Sequence, residues 1–398
     1  MELTGKRICI IVENLPVPFD RRVWQEALTL REAGAEVSVI CPAGRDASRS
    51  YECLEGVRIY RHHLPVEGNG PVGYLREYFA AFRNQRRLLK QAWNDVNGFD
   101  AIQICNPPDL LYLNARPYKK KYATKIVFDH HDINPELFLA KFGRKNIYYY
   151  LLLHFESRTF ACCDHSIATN ESYRQVALNR GRMNESCVTV VRSAPKLDRL
   201  ERRPPEPSLK KGKTLTIGYV GVIGQQEGID HLLEAIRYLI DLHQYSDFHC
   251  YVCGDGPARQ AMQDYCSKLR LDNYVTFTGR ISDDELLSIL NTADVCVNPD
   301  VPNEMNDKST MNKIMEYMAL GKPIVQYDLT EGRYSAQDSS LYVTPNSREE
   351  FAEAILRLAS DVELRAEMGK RGIERVMSEL NWSVESPKYR SVYVELLS

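Results

Sequence analysis

Residues 307–323 read DKSTMNKIMEYMALGKP, and this stretch decides how the second half of the chain folds. It lies between two apolar runs, ADVCVN at 293–298 and PIVQY at 323–327, which are typical of buried parallel strands. A helix between two parallel strands is the crossover of a βαβ unit. We expect Ser309 or Thr310 to cap the N-terminus of this helix and Gly321 to end it.

The polar side chains of this helix outline a ligand site. Lys313 and Glu316 are three residues apart and therefore lie on one face, while apolar residues on another face cover the sheet. The free N–H groups of a helix N-terminus bind phosphate, and a carboxylate further along accepts hydrogen bonds from two neighbouring hydroxyl groups. The pattern predicts a nucleotide-diphosphate site. An amphipathic helix whose Lys313 and Glu316 are merely solvated is the alternative.

The rest of the second half repeats the alternation of strand and helix. A predicted strand at 214–220 leads into the glycine-rich loop GVIGQQEG at 221–228 and a helix at 229–242. Two further strands end in turns that contain Gly254 and Arg280. Such turns let the backbone approach a phosphate. The glycines do not follow the G-x-G-x-x-G spacing, which argues against a dinucleotide site.

The first half opens with the same pattern. A strand at 6–13, a helix at 21–33 and a strand at 36–41 place Asn14, Arg21 and Arg22 where open α/β sheets bind ligands, at the carboxyl end of the first strand. Arg21 and Arg22 could contact phosphate there, or they could simply begin a surface helix. Further along, DHHD at 129–132 closes another strand, and charged side chains at that position favour a ligand site.

Length and composition are those of a soluble globular protein with more than one domain. The chain has 398 residues, and strand–helix alternation restarts after a stretch at 195–213 that is rich in Pro, Arg and Lys. We expect an α/β fold of two doubly wound, Rossmann-like domains that face a cleft. The first domain should span 1–194, with 195–213 as the linker before the second.

Charge and cysteine usage limit the partners and the compartment. Residues 1–200 carry seven more basic than acidic side chains, and the predicted helix at 74–93 has a basic face. This is compatible with contact with an anionic membrane or a phosphate-bearing acceptor, although a domain helix with a basic outer face more often produces such a pattern. We expect no nucleic-acid partner. No leader or spanning segment is visible, and most of the eleven cysteines lie in apolar runs, so we expect a cytoplasmic protein without disulfides or zinc.

Eight segments, taken in order, resemble one known family over nearly the whole chain. They resemble the retaining glycosyltransferases of family 4, especially bacterial enzymes that build surface polysaccharides and lipid-linked oligosaccharides. The segments are PVPFDRRVWQEALTLREAGAEVSVICP (16–42), FDHHDINPE (128–136), ATNESYR (168–174), VTVVRSAP (188–195), GYVGVIGQQEGID (218–230), VCGDGP (252–257), VTFTGRISDDEL (275–286) and NKIMEYMALGKPIV (312–325).

The resemblance implies a GT-B fold, with a donor domain at 214–379, an acceptor domain before it, and a C-terminal helix at 380–398 that crosses back to the first domain. Glu316 would bind the ribose and His131 would contact the transferred sugar. The implied catalytic residues are His131, Asp132 and Lys313. The donor-binding residues would be Gly221, Gly224, Gly254, Arg280, Lys308, Ser309, Thr310, Met311 and Glu316, and the acceptor-side residues Asn14, Arg21 and Arg22.

The sequence departs from the family pattern in three respects. Lys308 stands where the family often has a glutamate that meets the donor sugar. In the glycine-rich loop, Val222 and Glu227 replace an arginine and a lysine that neutralise diphosphate, and the usual glycine pair is absent between residues 14 and 20. We expect Lys313 to supply the missing charge, with Lys308 second.

These observations predict a retaining hexosyltransferase that moves a sugar from a nucleoside diphosphate sugar, in particular a UDP-sugar, to a saccharide or lipid-linked acceptor. The nucleotide sugar is a co-substrate, and no cofactor is expected. No D-x-D sequence occurs, so we expect activity without a metal ion. A nucleotide-sugar epimerase and a non-catalytic sugar-nucleotide-binding subunit are the alternatives. We expect the protein to be cytoplasmic, with peripheral contact at the inner face of the membrane.

Overall fold

A computed structural model describes residues 2–44, 47–63 and 71–398, and of residues 71–80 it describes the backbone only. The chain divides into two compact units. Unit 1 consists of Met1–Ser193 together with Glu385–Ser398, and unit 2 consists of Ala194–Val384. Each unit is an α/β layer structure around its own sheet, as the strand–helix alternation predicts.

Unit 1 is built on an eight-stranded sheet in the order β3-β4-β2-β1-β5-β6-β7-β8. Among the described strands of this sheet, β3 alone runs antiparallel to its neighbour, and it forms a hairpin with β4 that the sequence did not indicate. The order reverses between β1 and β5, which is where doubly wound sheets bind ligands. The strands are β1 Arg7–Ile11, β2 Glu36–Pro42, β3 Tyr51–Leu54, β4 Val57–His62, β5 Ala101–Cys105, β6 Lys125–His130, β7 His165–Ala168 and β8 Val188–Val190.

Capping residues define the ends of several helices in unit 1. The Asp20 side chain accepts a hydrogen bond from the Val23 N–H and caps α1, and Asn146 caps α5 in the same way. Gly143 adopts a left-handed conformation, with φ of 66°, and ends α4. The helices are α1 Arg21–Glu32, α2 Pro71–Val96, α3 Tyr112–Tyr122, α4 Asn134–Phe142, α5 Ile147–Cys162 and α6 Glu171–Gln175, which continues as a π-helical turn, Val176–Arg180.

Helix α2 contains the segment whose basic face suggested membrane contact. Its described half buries Leu88 and Leu89 and exposes Arg86, Arg87 and Lys90, the pattern of a domain helix with a basic outer face. The side chains of residues 74–80, which belong to the same predicted face, lie outside the described part. Within the described chain, no helix combines the length and the apolar character needed to cross a bilayer.

Unit 2 has a six-stranded sheet in the order β11-β10-β9-β12-β13-β14, with all of its strand pairs parallel. Here the order reverses between β9 and β12. The strands are β9 Leu215–Val220, β10 Phe248–Cys253, β11 Val275–Gly279, β12 Val295–Asn298, β13 Ile324–Tyr327 and β14 Ser340–Val343. The helices are α7 Ile229–Asp241, α8 Arg259–Lys268, α9 Asp283–Thr292, α10 Glu304–Lys308, α11 Asn312–Ala319, α12 Thr330–Ala336, α13 Arg348–Ser360 and α14 Val362–Ser378.

The last helix, α15 (Trp382–Leu397), belongs mainly to unit 1. Tyr389, Val392 and Tyr393 on this helix are buried, and so is Leu397 near its end. The Glu385 carboxylate accepts a hydrogen bond of 3.0 Å from the backbone N–H of Arg192, just beyond β8. Unit 1 is therefore completed by a segment that follows unit 2 in the chain.

Candidate functional site

The turn that follows β6 holds the first group of candidate residues. His131 and Asp132 leave the strand before α4 begins, and their backbone N–H groups donate to Asn106 Oδ1 over 2.7 and 3.2 Å. Asn106 also donates from Nδ2 to Asp109 Oδ1 (2.9 Å) and to the carbonyl oxygen of Asp132 (2.6 Å). The loop after β5 therefore fixes the backbone that carries His131 and Asp132.

His131 lies against a buried ion pair. Asp129, fully buried at the end of β6, accepts hydrogen bonds from Arg22 Nη2 (2.8 Å) and Nε (3.2 Å) and contacts Nε2 of His131. Arg22 also donates from Nη1 to Val191 O and Ser193 Oγ, each over 3.1 Å. The structure thus brings Arg22 and His131 together through Asp129, although the sequence had placed Arg22 on the acceptor side and His131 among the catalytic residues.

Burial and charge oppose each other in this cluster. Burial alone would raise the pKa of Asp129, but Arg22 and His131 outweigh it and lower the pKa well below its usual value. Glu26, on α1, has the opposite outcome, because burial and the neighbouring Asp129 charge together raise its pKa well above the usual value. Burial also raises the pKa of Asp132. The cluster therefore contains an ionised Asp129 beside a Glu26 that favours the protonated form.

The same cluster has a donor set that a metal ion could use. One ligand atom from each of Glu26, Cys105, Asp129 and His131 lies within 4.8 Å of the others. Arg22 Nε, however, is 3.1 Å from Glu26 Oε1, 3.2 Å from Asp129 Oδ2 and 3.2 Å from His131 Nε2. A guanidinium already supplies the positive charge among these ligands, so the residues do not fit a metal ion.

The other acceptor-side candidates lie nearby in the chain but on the surface. Asn14 is exposed, three residues beyond the end of β1, and Arg21 is exposed at the first position of α1. Both follow the carboxyl edge of the sheet, as the sequence predicts. Neither joins the Asp129 ion pair, which Arg22 makes.

In unit 2 the candidate helix is shorter than the sequence predicts. Ser309 ends α10, and its hydroxyl donates to Met305 O over 2.7 Å. Helix α11 starts only at Asn312, and Met311 precedes it without a side-chain hydrogen bond to the helix. The expected caps at Ser309 and Thr310 are therefore wrong, because the chain forms a separate turn of helix capped by Asn303 first. The predicted end is confirmed by Gly321, with φ of 69°.

Lys313 lies in the first turn of α11 and forms a buried ion pair. Its Nζ donates to Asp300 Oδ1 over 2.8 Å, and it lies 4.8 Å from the centre of the Tyr219 ring. Burial alone would lower the pKa of Lys313, but Asp300 outweighs it and raises the pKa above the usual value. Lys313 therefore keeps its charge at the N-terminal end of α11, where backbone N–H groups have no partner within the helix.

Glu316 lies one turn further along α11 and forms an ion pair with Arg199. Arg199 lies in the stretch that the sequence predicts to be a linker, 117 residues from Glu316, so the sequence gives no signal for this pairing. Lys308 pairs with Glu304 across one turn of α10, at 2.5 Å. Lys308 and Lys313, the two lysines that we expect to supply the missing charges, thus both have carboxylate partners.

The glycine-rich loop after β9 lies against the turn after β10. Gly221 N donates to Cys253 O and Ile223 N donates to Asp255 O, over 3.0 and 3.1 Å. A side chain at Gly254 would place its Cβ 1.8 Å from the Gly221 carbonyl oxygen, so only glycine allows this approach. The two loops form one surface at the carboxyl edge of the sheet.

Glu227 brings a carboxylate into the same loop. A Cβ at Gly224 would lie 2.5 Å from Glu227 Oε2, and burial, reinforced by Asp300, raises the pKa of Glu227. Arg280 is exposed immediately after β11. The loop is therefore less positive than one with lysine at this position, and the charge of Lys313 acts on the Glu227 carboxyl, where it opposes the rise in pKa.

Comparisons with known proteins agree with this geometry. A model described as Glycosyltransferase Family 4 matches residues 20–199, and one described as Glycosyl transferases group 1 matches residues 214–361. The 2-deoxystreptamine glucosyltransferase of Streptomyces kanamyceticus is 31% identical over 45% of this chain and 48% of its own length. The phosphatidyl-myo-inositol mannosyltransferase of Mycolicibacterium smegmatis is 25% identical over 97% of this chain and 92% of its own. The chain spans about half the length of several curated relatives it matches.

Solved structures share the fold at low sequence identity. Sucrose-phosphate synthase from Thermosynechococcus elongatus has a TM-score of 0.79 at 18% identity, covering 98% of this chain and 99% of that one. The Anabaena protein HepE in complex with UDP and glucose has a TM-score of 0.70 at 13% identity, covering 98% and 100%. The fold and the matched domains define a glycosyltransferase of the GT-B type. Within that class, the chain belongs to glycosyltransferase family 4.

Proposed function

We propose that this protein transfers a hexose from a UDP-sugar to an acceptor hydroxyl with retention at the anomeric carbon. The observation that supports this is the arrangement on α11, where the helix N-terminus, the largely buried Lys313 and the Glu316 carboxylate follow one another along the helix. In a nucleoside diphosphate sugar, the helix N-terminus would bind phosphate, Lys313 would stabilise the leaving group, and Glu316 would bind the ribose. UDP is proposed as the nucleotide because the related Anabaena structure holds UDP.

The donor would lie along the carboxyl edge of unit 2. The loops at Gly221, Gly224 and Gly254 would let the backbone approach the diphosphate, while Arg280 would meet the base. Just before α11, Ser309, Thr310 and Met311 would contact the distal phosphate and the sugar of the donor, with Lys308 next to them in the chain. Glu316 would accept hydrogen bonds from the ribose hydroxyls, which requires it to exchange its contact with Arg199 for the ligand.

The chemistry would depend on charge at two positions. As the bond from the anomeric carbon to the diphosphate breaks, negative charge grows on the leaving group, and Lys313 together with the α11 N-terminus would stabilise it. A bond from the acceptor oxygen to the anomeric carbon forms on the same face of the sugar, and the proton of the acceptor hydroxyl passes to an oxygen of the departing diphosphate. His131, oriented by Asp129, and Asp132 would orient the reacting groups in unit 1, with Asn14, Arg21 and Arg22 on the acceptor side. Activity in excess chelator would support this metal-free scheme.

A donor screen tests the proposal. Thermal shift and hydrolysis would be measured with UDP-, GDP-, dTDP- and ADP-glucose, using the wild type, Glu316→Ala and the matched control Glu353→Ala, an exposed glutamate on α13. We expect UDP-glucose to stabilise the wild type and the control, and Glu316→Ala to lose that shift. Release of UDP without an acceptor but with an isomerised sugar would instead identify an epimerase. Binding without any turnover would favour the non-catalytic subunit, for which the uncharged Val222 and acidic Glu227 argue.

We further propose that the acceptor is a saccharide or lipid-linked saccharide at an anionic membrane surface. The support is the α4–α5 hairpin. At its tip, five large apolar side chains are 40–66% exposed, and residues 137–155 contain no acidic side chain. Lys141, Arg144 and Lys145 flank them. Exposed aromatic residues with basic neighbours are typical of proteins that bind the membrane interface. The apolar residues are Phe142, Ile147, Tyr148, Tyr150 and Leu151.

Liposome flotation would test the membrane contact. We expect the wild type to float with vesicles that contain phosphatidylglycerol and to stay in solution with purely phosphatidylcholine vesicles. Ile147→Ser/Tyr148→Ser should reduce flotation, whereas Tyr238→Ser, which alters an exposed tyrosine of unit 2, should not. Equal flotation of both variants would remove the hairpin from the proposal.

A further inference from the structure

Gln103 lies in the middle of β5 and is fully buried, although its neighbours in the strand are apolar. Its Nε2 donates to Glu26 Oε2 over 2.8 Å and approaches Asp129 Oδ2 at 3.4 Å. Its Oε1 accepts from the hydroxyl of Tyr389 over 2.7 Å and from that of Tyr393. Two hydroxyl donors on one side and two carboxyls on the other allow only one orientation of this amide.

The two tyrosines come from the end of the chain. Tyr389 and Tyr393 are four residues apart on α15, so both lie on one face of the helix, and neither is exposed. Phenylalanine would fill the same space, and a buried hydroxyl is unfavourable unless it is bonded. The hydrogen bonds to Gln103 therefore account for the presence of two buried hydroxyl groups on this helix.

We propose that Tyr389 and Tyr393 are positioning residues for His131, acting through Gln103 on the Glu26–Asp129 pair. The inference rests on the proposed function, because it is that proposal which gives His131 its role. The chain of contacts runs from each tyrosine hydroxyl to Gln103 Oε1, from Gln103 Nε2 to Glu26 and Asp129, and from Asp129 to His131. In this way the last helix of the chain fixes the side chain that faces the sugar.

Loss of the hydroxyls has a definite electrostatic consequence. Without them the amide of Gln103 can turn over, and its oxygen then faces two carboxyl groups, which removes a donor and adds repulsion. Removal of a donor favours the protonated carboxyl form, so Asp129 would accept a proton at a higher pH than before. The titratable and charged groups around Asp129 are Asp20, Arg22 and Glu26 from the α1 region, Cys105 from β5, His130 at the end of β6, His131 beyond β6, and Tyr389 and Tyr393 from α15.

Conservative variants test this role. Tyr389→Phe, Tyr393→Phe and the double variant would be compared with Tyr60→Phe, which deletes a different buried hydroxyl of unit 1, one that bonds Asp95 at 2.9 Å. With UDP-glucose as the probe, we expect the double variant to lower kcat for hydrolysis by about tenfold to a hundredfold at unchanged KM. Tyr60→Phe should change neither quantity.

A crystal structure of the double variant separates this inference from the proposed function. A turned Gln103 amide and a displaced His131 ring would support the positioning role even if the wild type hydrolysed no nucleotide sugar, an outcome that would overturn only the proposed function. An unchanged Gln103 and His131, or equal losses in Tyr60→Phe and the double variant, would show that the tyrosines only stabilise the fold and would overturn the inference.

Discussion

Asp109 illustrates how a single side chain can couple the candidate site to pH. It is buried and accepts hydrogen bonds from the side-chain amides of Asn106 (2.9 Å) and Asn134 (2.7 Å). Burial raises its pKa to about 6, although both amide donors act against that rise. Asn106 also accepts hydrogen bonds from the backbone N–H groups of His131 and Asp132. The protonation state of Asp109 therefore affects the hydrogen bonding of the turn that carries these two residues.

The sign of the pH effect follows from this raised pKa. The folded state binds the proton more tightly than the unfolded state, so the contribution of Asp109 to stability is complete below about pH 4 and is lost as the pH rises through 6. As the pH rises from 4 to 7, we expect the wild type to lose about 3 kcal/mol of stability relative to Asp109→Asn, whose side chain does not ionise. Thermal midpoints across this range measure it.

The exposed Asp95 supplies the control for this prediction. Asp95→Asn keeps an oxygen that accepts from Tyr60 and lies on the surface of the same unit, so its stability should follow the wild type at every pH. Parallel curves for Asp109→Asn and the wild type would contradict the prediction.

Sequence reasoning at this scale located residues that end strands and missed residues inside them. The position of His131 just beyond β6 was predictable, because charged side chains at the carboxyl end of a strand are costly without a purpose, while its role stays a prediction. Glu26 and Gln103 carried a usable signal, since each is polar within an otherwise apolar buried segment, but their partners lie up to 290 residues away and only the fold reveals them. Arg199 offered no such pattern.

At the scale of elements, Gly228 joins two loops of the candidate donor site. It precedes α7 with φ of 63°, and a Cβ there would lie 2.0 Å from the carbonyl oxygen of Pro299. The same loops are linked by a hydrogen bond of 2.9 Å from Val301 N to Gln226 O. The backbone therefore approaches closely at the point where the glycine-rich loop passes the loop that carries Asp300.

Gly228→Ala should damage this junction, whereas Gly212→Ala should not. Gly212 has a similar φ of 72° but no atom within 4 Å of its would-be Cβ, so its substitution carries only the backbone cost of about 1 kcal/mol. We expect Gly228→Ala to lower the thermal midpoint further and to abolish stabilisation by UDP-glucose. Equal effects of the two variants on nucleotide-dependent stabilisation would refute the role of the close approach.

The elements themselves were largely predictable, with informative exceptions. Apolar runs and terminal glycines gave most strands and helix ends, because burial and left-handed backbone leave local traces. The start of α11 was misplaced because Ser309 and Thr310 have cap-forming side chains, yet Asn303 caps an earlier turn of helix. Strand β3 was missed because its four residues lie at the edge of the sheet and none of them is buried.

At the scale of the whole molecule, the two-unit α/β prediction is confirmed, and the dependence of unit 1 on α15 can be tested. A chain that ends at residue 384 would lack the buried Tyr389, Val392, Tyr393 and Leu397. Each buried side chain of this size contributes roughly 1.5–3 kcal/mol, and a domain is stable by only about 5–15 kcal/mol. We expect unit 1 to become protease-sensitive at 25 °C while UDP-glucose still stabilises unit 2.

A matched change on the same helix controls for this truncation. Arg390 is exposed on α15 and pairs with Glu2 at 3.0 Å, so Arg390→Ala should leave the proteolysis pattern unchanged. A truncated chain whose unit 1 resists protease as well as the wild type does would show that α15 is dispensable for folding.

The contribution of α15 to unit 1 also fixes an order of events during protein synthesis. Domains generally fold as they leave the ribosome, the N-terminal one first. Here residues 1–193 are translated before unit 2, but Gln103 can bond Tyr389 and Tyr393 only after unit 2 has been translated. Unit 2, whose residues are contiguous, can fold first. The unit that is translated first is therefore the unit that is completed second, and a ribosome that stalls between residues 384 and 389 would carry a complete unit 2 and an incomplete unit 1.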